Sequence, residues 1–195
     1  MALTFPLSHP TTGIMSVEMR TVNAVSTSQS PFTYKQQIVS HGGERWEATI
    51  NLPAMTRDNA GAWKAFLAAL RGPTGTFLLG DPDYATPRGT VSSLLVSGNA
   101  GNSSVTVEMT GTLLAGDYIQ LGTGSAARLH QVLEDQSGNG AIEIWPTLRS
   151  NYTLSEAIYT SPKGVFRLAS NVSSWSINNA SIYGISFEAV EAITG

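Results

Sequence analysis

Apolar and polar residues alternate strictly from Arg45 to Leu52. Trp46, Ala48, Ile50 and Leu52 fall on one face, and Arg45, Glu47, Thr49 and Asn51 on the other. A period of two over eight residues predicts a half-buried β-strand. Two earlier strands are expected, Ile14 to Val25 and Thr33 to Ser40. Pro31 and the Ser/Thr/Gln run before it mark the turn between them, and His41-Gly42-Gly43 marks another turn. The pattern then changes period. Trp63, Phe66, Leu67 and Leu70 recur at helical spacing within Arg57–Leu70, which predicts a helix that lays one apolar stripe across a sheet. Thr56 stands at its N-cap position, Asp58 lies in its first turn, and Gly72-Pro73 stops it after Arg71. Thr76 to Leu79 follows as a buried strand.

From Gly89 to Thr160 the texture is different. Short strands are expected at Ser92 to Val96, Val105 to Met109, Tyr118 to Leu121, Arg128 to Leu133, Ala141 to Trp145 and Ala157 to Tyr159. Gly98-Asn99-Ala100-Gly101-Asn102, Gly122-Thr123-Gly124 and Ser137-Gly138-Asn139-Gly140 break the run. Six strands with no helix between them predict a small closed or half-closed barrel. Longer strands return at Val165 to Ala169, Trp175 to Ile177 and Tyr183 to Val190. The last of these alternates and needs a sheet to join. The simplest arrangement pairs it with the N-terminal strands. Residues 1–88 and 162–195 then form one discontinuous domain that is mainly β with one main α-helix, carrying residues 89–161 as an insertion.

Composition narrows the function classes. Charged residues make up 13% of the 195 residues, about half the roughly 25% of an ordinary soluble domain. Ser and Thr together supply 42 residues. With 11 Lys+Arg against 14 Asp+Glu, the chain has no basic excess for nucleic-acid binding. The absence of cysteine excludes disulfides, thiolate zinc sites and a cysteine nucleophile. A surface this poor in charge suits a subunit of a larger assembly. Met1 to Pro10 carries no basic residue ahead of an apolar run, so no secretory signal is expected. Apolar runs such as Phe66 to Leu70 fall far short of a bilayer span, and synthesis and folding in the cytoplasm, without membrane insertion, are expected.

Little in the chain promises catalysis. His9, His41 and His130 lie far apart and form no paired metal-ligand spacing. Gly124-Ser125 lacks the second glycine of a nucleophile elbow, because Ala127 stands there. Asp81-Pro82-Asp83 reads as an Asp-Pro turn that ends the Phe77 strand, with Arg88 neutralising one carboxylate. The oxygen-rich loop that calcium needs is not continued after Tyr84. Glu134-Asp135 reads as a solvated hairpin tip. Of the four tryptophans, Trp46 and Trp63 share faces with core residues, and Trp175 lies in a short strand. Trp145, before Pro146, is the candidate for stacking on a sugar. The sequons at Asn102, Asn151, Asn171 and Asn179 carry no weight in a chain so rich in Ser and Thr. No catalytic, cofactor or metal residues are expected.

Several stretches together resemble a known family. They are Trp63-Lys64-Ala65-Phe66-Leu67-Ala68-Ala69-Leu70-Arg71-Gly72, Gly75-Thr76-Phe77-Leu78-Leu79-Gly80-Asp81-Pro82, Thr86-Pro87-Arg88-Gly89, Ala115-Gly116-Asp117-Tyr118-Ile119-Gln120-Leu121, Leu129-His130-Gln131-Val132-Leu133, Trp145-Pro146-Thr147-Leu148-Arg149, Phe166-Arg167-Leu168-Ala169, and Tyr183 to Glu191. In this order and spacing, from about residue 32 to the end, they resemble tail-tip proteins of long, non-contractile-tailed bacteriophages. In size and layout the chain is most similar to the distal tail protein family. That resemblance implies a β-sandwich belt domain with a helix, and an inserted barrel like those that bind oligonucleotides and oligosaccharides. It also implies a structural, non-enzymatic virion protein at the tail tip. There a homo-hexameric ring would join the tail-tube protein to the baseplate hub and other tip proteins, with phage DNA passing through its lumen unbound. The alternatives are a carbohydrate-binding module that attaches to host surface glycan, and a tail-tube or minor tail subunit.

Overall fold

The computed structural model describes residues 3–11 and 16–193. In chain order the elements are β1 (Leu7–Ser8), β2 (Ser16–Gln29), β3 (Gln36–Asn51), α1 (Arg57–Leu70), β4 (Phe77–Leu79), β5 (Ser93–Gly98), β6 (Ser104–Thr110), β7 (Thr112–Leu113), β8 (Tyr118–Leu121), β9 (Arg128–Val132), β10 (Gln136–Ser137), β11 (Gly140–Trp145), β12 (Tyr152–Ile158), β13 (Gly164–Leu168), β14 (Trp175–Ile177) and β15 (Tyr183–Glu191). The architecture is mainly β with one α-helix, several sheets and a closed six-stranded barrel, in keeping with a β-sandwich plus a small barrel.

The larger sheet runs in the order β1-β4-β13-β15-β3-β2, and β14 pairs with the free half of β15. Among the described residues only β1 and β4 pair in parallel. The face predicted from alternation is the buried one, with Trp46, Ala48, Ile50 and Leu52 closed off from solvent. Helix α1 packs its stripe of Ala60, Trp63, Phe66, Leu67 and Leu70 into the same core. Rings meet edge to face there, Trp63 on Phe66 at 5.8 Å and Phe66 on Phe77 at 5.5 Å, an arrangement that the aromatic quadrupole favours.

Helix α1 has the predicted bounds, but its cap differs from expectation. Thr56 has the extended backbone of an N-cap, yet its hydroxyl makes no capping bond. The helix ends where Arg71 turns left-handed at φ 51° and returns its N–H to Ala68 O, which satisfies one orphan carbonyl.

β4 and β13 are hydrogen-bonded neighbours, with Leu79 opposite Gly164 and Phe77 opposite Phe166. Between them the chain leaves the sheet and builds the barrel, closed in the order β11-β6-β5-β12-β8-β9. Closure leaves no free strand edge. Inside are Val96, Val107, Ile119, Leu121, Ile142 and Ile144, all buried in a second apolar cluster. Leu129 of β9 belongs instead to the core of the larger sheet, so the barrel packs directly against it.

The N-terminal strands depart furthest from expectation. β2 and β3 form one continuous hairpin of 14 and 16 residues. Ile14, the expected start of the first strand, lies outside the described residues. The strand expected from Thr33 begins at Gln36, because Ser30–Lys35 closes the hairpin turn through Ser30 N–H to Lys35 O at 3.0 Å and Tyr34 N–H to Ser30 O at 2.9 Å. His41-Gly42-Gly43 does not end a strand. Asn23 pairs with Glu44 and Val25 with Ser40, so Ala24 alone faces three residues of β3. Gly42 takes φ +69°, and a Cβ on Gly43 would come 2.9 Å from that of Ala24. The glycines therefore let β3 bulge and continue rather than reverse.

Among the described residues, no helix is long and apolar enough to cross a membrane.

Candidate functional site

Two features stand out, an arm that leaves the sheet and a polar junction that seats the barrel. The arm is the distal part of the β2–β3 hairpin. β15 pairs with β3 only from Glu47 to Asn51, whereas β2 and β3 stay paired out to Gln29 and Gln36. Beyond the bulge both strands carry solvent on each side. Phe32 is 92% exposed, Tyr34 74% and Ile38 64%, and Val25 and Val39 are exposed as well. From Ala24 to Gly43 the only formally charged side chain is Lys35. His41 spans the ribbon near its base, its Nε2 2.9 Å from Ser26 Oγ.

The junction is built from residues distant in sequence. Trp46 Nε1–H donates to Leu129 O at 2.9 Å, and the Trp46 ring meets Trp145 edge-on at 4.5 Å. Glu191, nearly closed off by β15 and its neighbours, accepts the Trp46 backbone N–H at 3.1 Å and pairs with Arg149 at 3.6 Å. Arg149 also donates to the Glu44 carbonyl, and the Thr147 N–H donates to Glu44 Oε2 at 2.7 Å. Burial raises the Glu191 carboxyl above its ordinary value, against the opposing pull of the Trp46 N–H and of Arg149. His130 is fully buried beside this pair, with Nδ1 2.8 Å from Pro146 O. Burial lowers it to about 4, the Pro146 hydrogen bond working the other way and Arg149 and Arg128 adding to the fall. The neutral ring therefore carries its proton on Nδ1, and Nε2 has no partner among the described residues.

A separate polar cluster, around Asp117, binds the start of the inserted segment. The wholly buried carboxylate accepts N–H groups from Arg88 at 2.8 Å, Gly89 at 3.2 Å and Leu114 at 2.9 Å. The 86–89 and 115–121 stretches thus form one clasp. Tyr84 joins it by accepting the Tyr118 N–H at 3.1 Å, and burial drives its phenol further toward the neutral form.

The other sequence candidates are placed as follows. Trp145 is half-buried, and its indole N–H donates to Asn23 Oδ1 at 2.9 Å. It is tied into the junction rather than presented as an open sugar platform. The most exposed of the four indoles is that of Trp175. Asp81 forms the predicted turn through Asp83 N–H to Asp81 Oδ1 at 3.0 Å, but Arg88 turns away and donates to Ala115 O at 3.1 Å. The Glu134-Asp135 tip is not merely solvated. Glu134 accepts the Glu143 N–H at 3.1 Å, and Asp135 accepts the Ala115 N–H at 2.7 Å.

His41 lies on β3 and His130 on β9, and His9, just after β1, stacks on Trp63 at 6.0 Å. Among the described residues no group of three or more His, Cys, Asp or Glu lies together to hold a metal. Gly124–Ala126 is a short 3-10 turn whose Ser125 carbonyl accepts from Arg128 at 3.3 Å. Asn102, Asn151, Asn171 and Asn179 are exposed, and Asn151 caps the Ala100 N–H at 2.8 Å. No protein-family model matches the chain, and no curated protein matches it.

Proposed function

We propose that the chain is a structural subunit of a phage tail tip, a distal-tail-type protein that forms a homo-hexameric ring between the tail tube and the baseplate hub. In this reading residues 1–88 and 162–195 are the ring-forming unit, and residues 89–161 are an insert carried on it. DNA passes through the lumen without being held.

The arm is the observation that carries the proposal. A two-stranded ribbon is marginal in water on its own, and this one exposes Phe32, Tyr34 and Ile38 with a single charge along its length. Exposed apolar surface on strands with free edges is a place where another chain binds. A head-to-tail contact repeated with rotation closes a ring. The family resemblance supplies which ring. The low count of Lys and Arg supports a lumen that does not retain phosphate.

Electron microscopy of phage particles carrying a tagged copy tests the reading. The tag is expected as a single collar at the tail tip. A tag repeated along the tube would instead make the chain a tube subunit and refute the proposal.

A further inference from the structure

β14 is an open sheet edge. It pairs with the start of β15, Trp175 opposite Ile185 and Ile177 opposite Tyr183. Those two β15 residues turn their backbone groups the other way. Tyr183 exchanges both hydrogen bonds with Met55, at 2.9 and 3.0 Å, and Ile185 O accepts the Leu52 N–H at 3.0 Å. Asn178 N–H donates to Ile182 O at 3.1 Å and anchors the end of β14. Along an antiparallel strand the backbone groups alternate in direction. The N–H and C=O of Trp175 and Ile177 therefore point away from β15, toward the free side. Their side chains lie on the α1 face with those of Ile185 and Tyr183, and are 44% and 58% exposed. Lys64 of α1 stands on that same face, 5.9 Å from the Trp175 ring centroid.

A second open edge lies on the arm. Beyond the bulge, the side of β3 that borders β15 nearer the core has no strand beside it. Ile38 and Val39 are both exposed there. Adjacent strand residues point to opposite faces, so each face of the arm carries one β-branched apolar side chain of β3. β2 offers only Val25 among Ser, Thr and Gln.

Proteins keep sheet edges single with Lys, Pro or inward-pointing charge. Neither of these edges has them: residues 36–43 and 170–183 contain no Asp, Glu, Lys, Arg or Pro. The two edges also sit at opposite ends of β15. β14 flanks its first residues, and the arm departs beyond Glu47, which pairs with Val190. β15 has nine residues, which spans about 30 Å. The arm continues β3 away from β14, so the two edges of one copy do not meet.

We infer that the β3 edge of the arm in one copy adds as a strand to the β14 edge of the next copy. Outward backbone groups at Trp175 and Ile177 supply the hydrogen bonds, and the exposed side chains of Trp175, Ile177, Ile38 and Val39 supply apolar contact. A contact between unlike surfaces at opposite ends of a subunit is head-to-tail and repeats around a ring. The occupant is a second copy because both uncharged edges belong to this chain, and a charged strand would lose hydration at β14 without meeting an opposite charge. This interface rests on the ring reading of the arm and adds the surface that the arm meets.

The chain has no cysteine, so introduced thiols report one pair of positions. Full-length Ile38→Cys and Ile177→Cys chains are co-expressed, purified and treated with a short bismaleimide. Cross-linked dimers are expected from the mixture and not from either variant alone, and the double variant should give a ladder running up to the closed ring. Leu133→Cys, exposed on the barrel, should not cross-link to Ile38→Cys. Ile177→Lys puts a charge on the edge and should weaken self-association at least about tenfold with the circular dichroism of wild type. A ring in which positions 38 and 177 do not cross-link, or one that Ile177→Lys leaves intact, overturns this interface and leaves the ring reading standing. Cross-linking to Leu133→Cys as efficient as to Ile177→Cys also overturns it. A wild-type chain that stays monomeric overturns both.

Discussion

Replacing Arg149 by alanine removes the cation that faces Glu191 across the barrel–sheet junction. The side chains are 17% and 3% exposed, with nitrogen and oxygen 3.6 Å apart. Orphaning a buried charge costs about 3–5 kcal/mol. Two features reduce that here. Glu191 keeps the Trp46 N–H, and its carboxyl already lies above the ordinary range, so it can take up a proton instead of remaining charged. A loss of about 2–3 kcal/mol is expected near neutral pH, or about 5–10 °C in Tm for a chain of this length.

The pH dependence identifies the cause. A carboxyl raised in the folded state binds its proton more tightly there than in the unfolded chain, so its contribution falls as pH rises between the two values. Without Arg149 the folded value rises further, and the penalty should be larger near pH 7.5 than near pH 5. In a Glu191→Gln background, where the side chain still accepts from Trp46, Arg149→Ala should lose that extra pH dependence. Urea unfolding of wild type, the two single variants and the double variant at both pH values is the assay. A cost for Arg149→Ala below about 0.5 kcal/mol, or one equal at the two pH values, would refute the reasoning.

Three further outcomes are expected. His130 is lowered to about 4 in the folded chain, so the unfolded chain takes the proton first as pH falls below about 6.5. Stability should then drop by up to about 2 kcal/mol by about pH 5. Denaturation should show that slope for wild type and lose it in His130→Asn, with Glu191 contributing in the opposite sense. Asp117→Ala strands three backbone donors, Arg88 and Gly89 where the insert begins and Leu114 further along it, at roughly 1–3 kcal/mol each, so a Tm fall larger than that of Arg149→Ala is expected by calorimetry. Trp63→Ala empties the centre of the α1–sheet core and should cost about 3–5 kcal/mol in the same measurement.

Helix α1 and most barrel strands are legible in the sequence because each is a local pattern: a 3.6-residue stripe at Trp63, Phe66, Leu67 and Leu70, and short alternating runs bounded by glycine turns. The arm is not legible in that way. Its strands bury nothing within the chain, so Ser, Thr and Gln alternate with isolated apolar residues, and Gly42-Gly43 resembles a turn as much as a bulge. Asp117 gives no motif because its partners are backbone N–H groups of residues 88, 89 and 114. Arg149 and Glu191 meet only because the barrel returns to the sheet. Which indole is exposed is likewise set by tertiary placement: hydrogen bonding to Asn23 ties Trp145 into the junction, and edge-strand placement exposes Trp175.

The mass of the purified chain in solution tests the central claim most directly. Light scattering should give six copies of a 20.6 kDa chain with ring-shaped particles in negative stain. A variant in which a short turn replaces residues 25–40 should keep its Tm yet fall to the monomer mass, because the arm adds nothing to the core. A wild-type chain that stays monomeric at every concentration, or an armless variant that still forms the ring, would contradict the account.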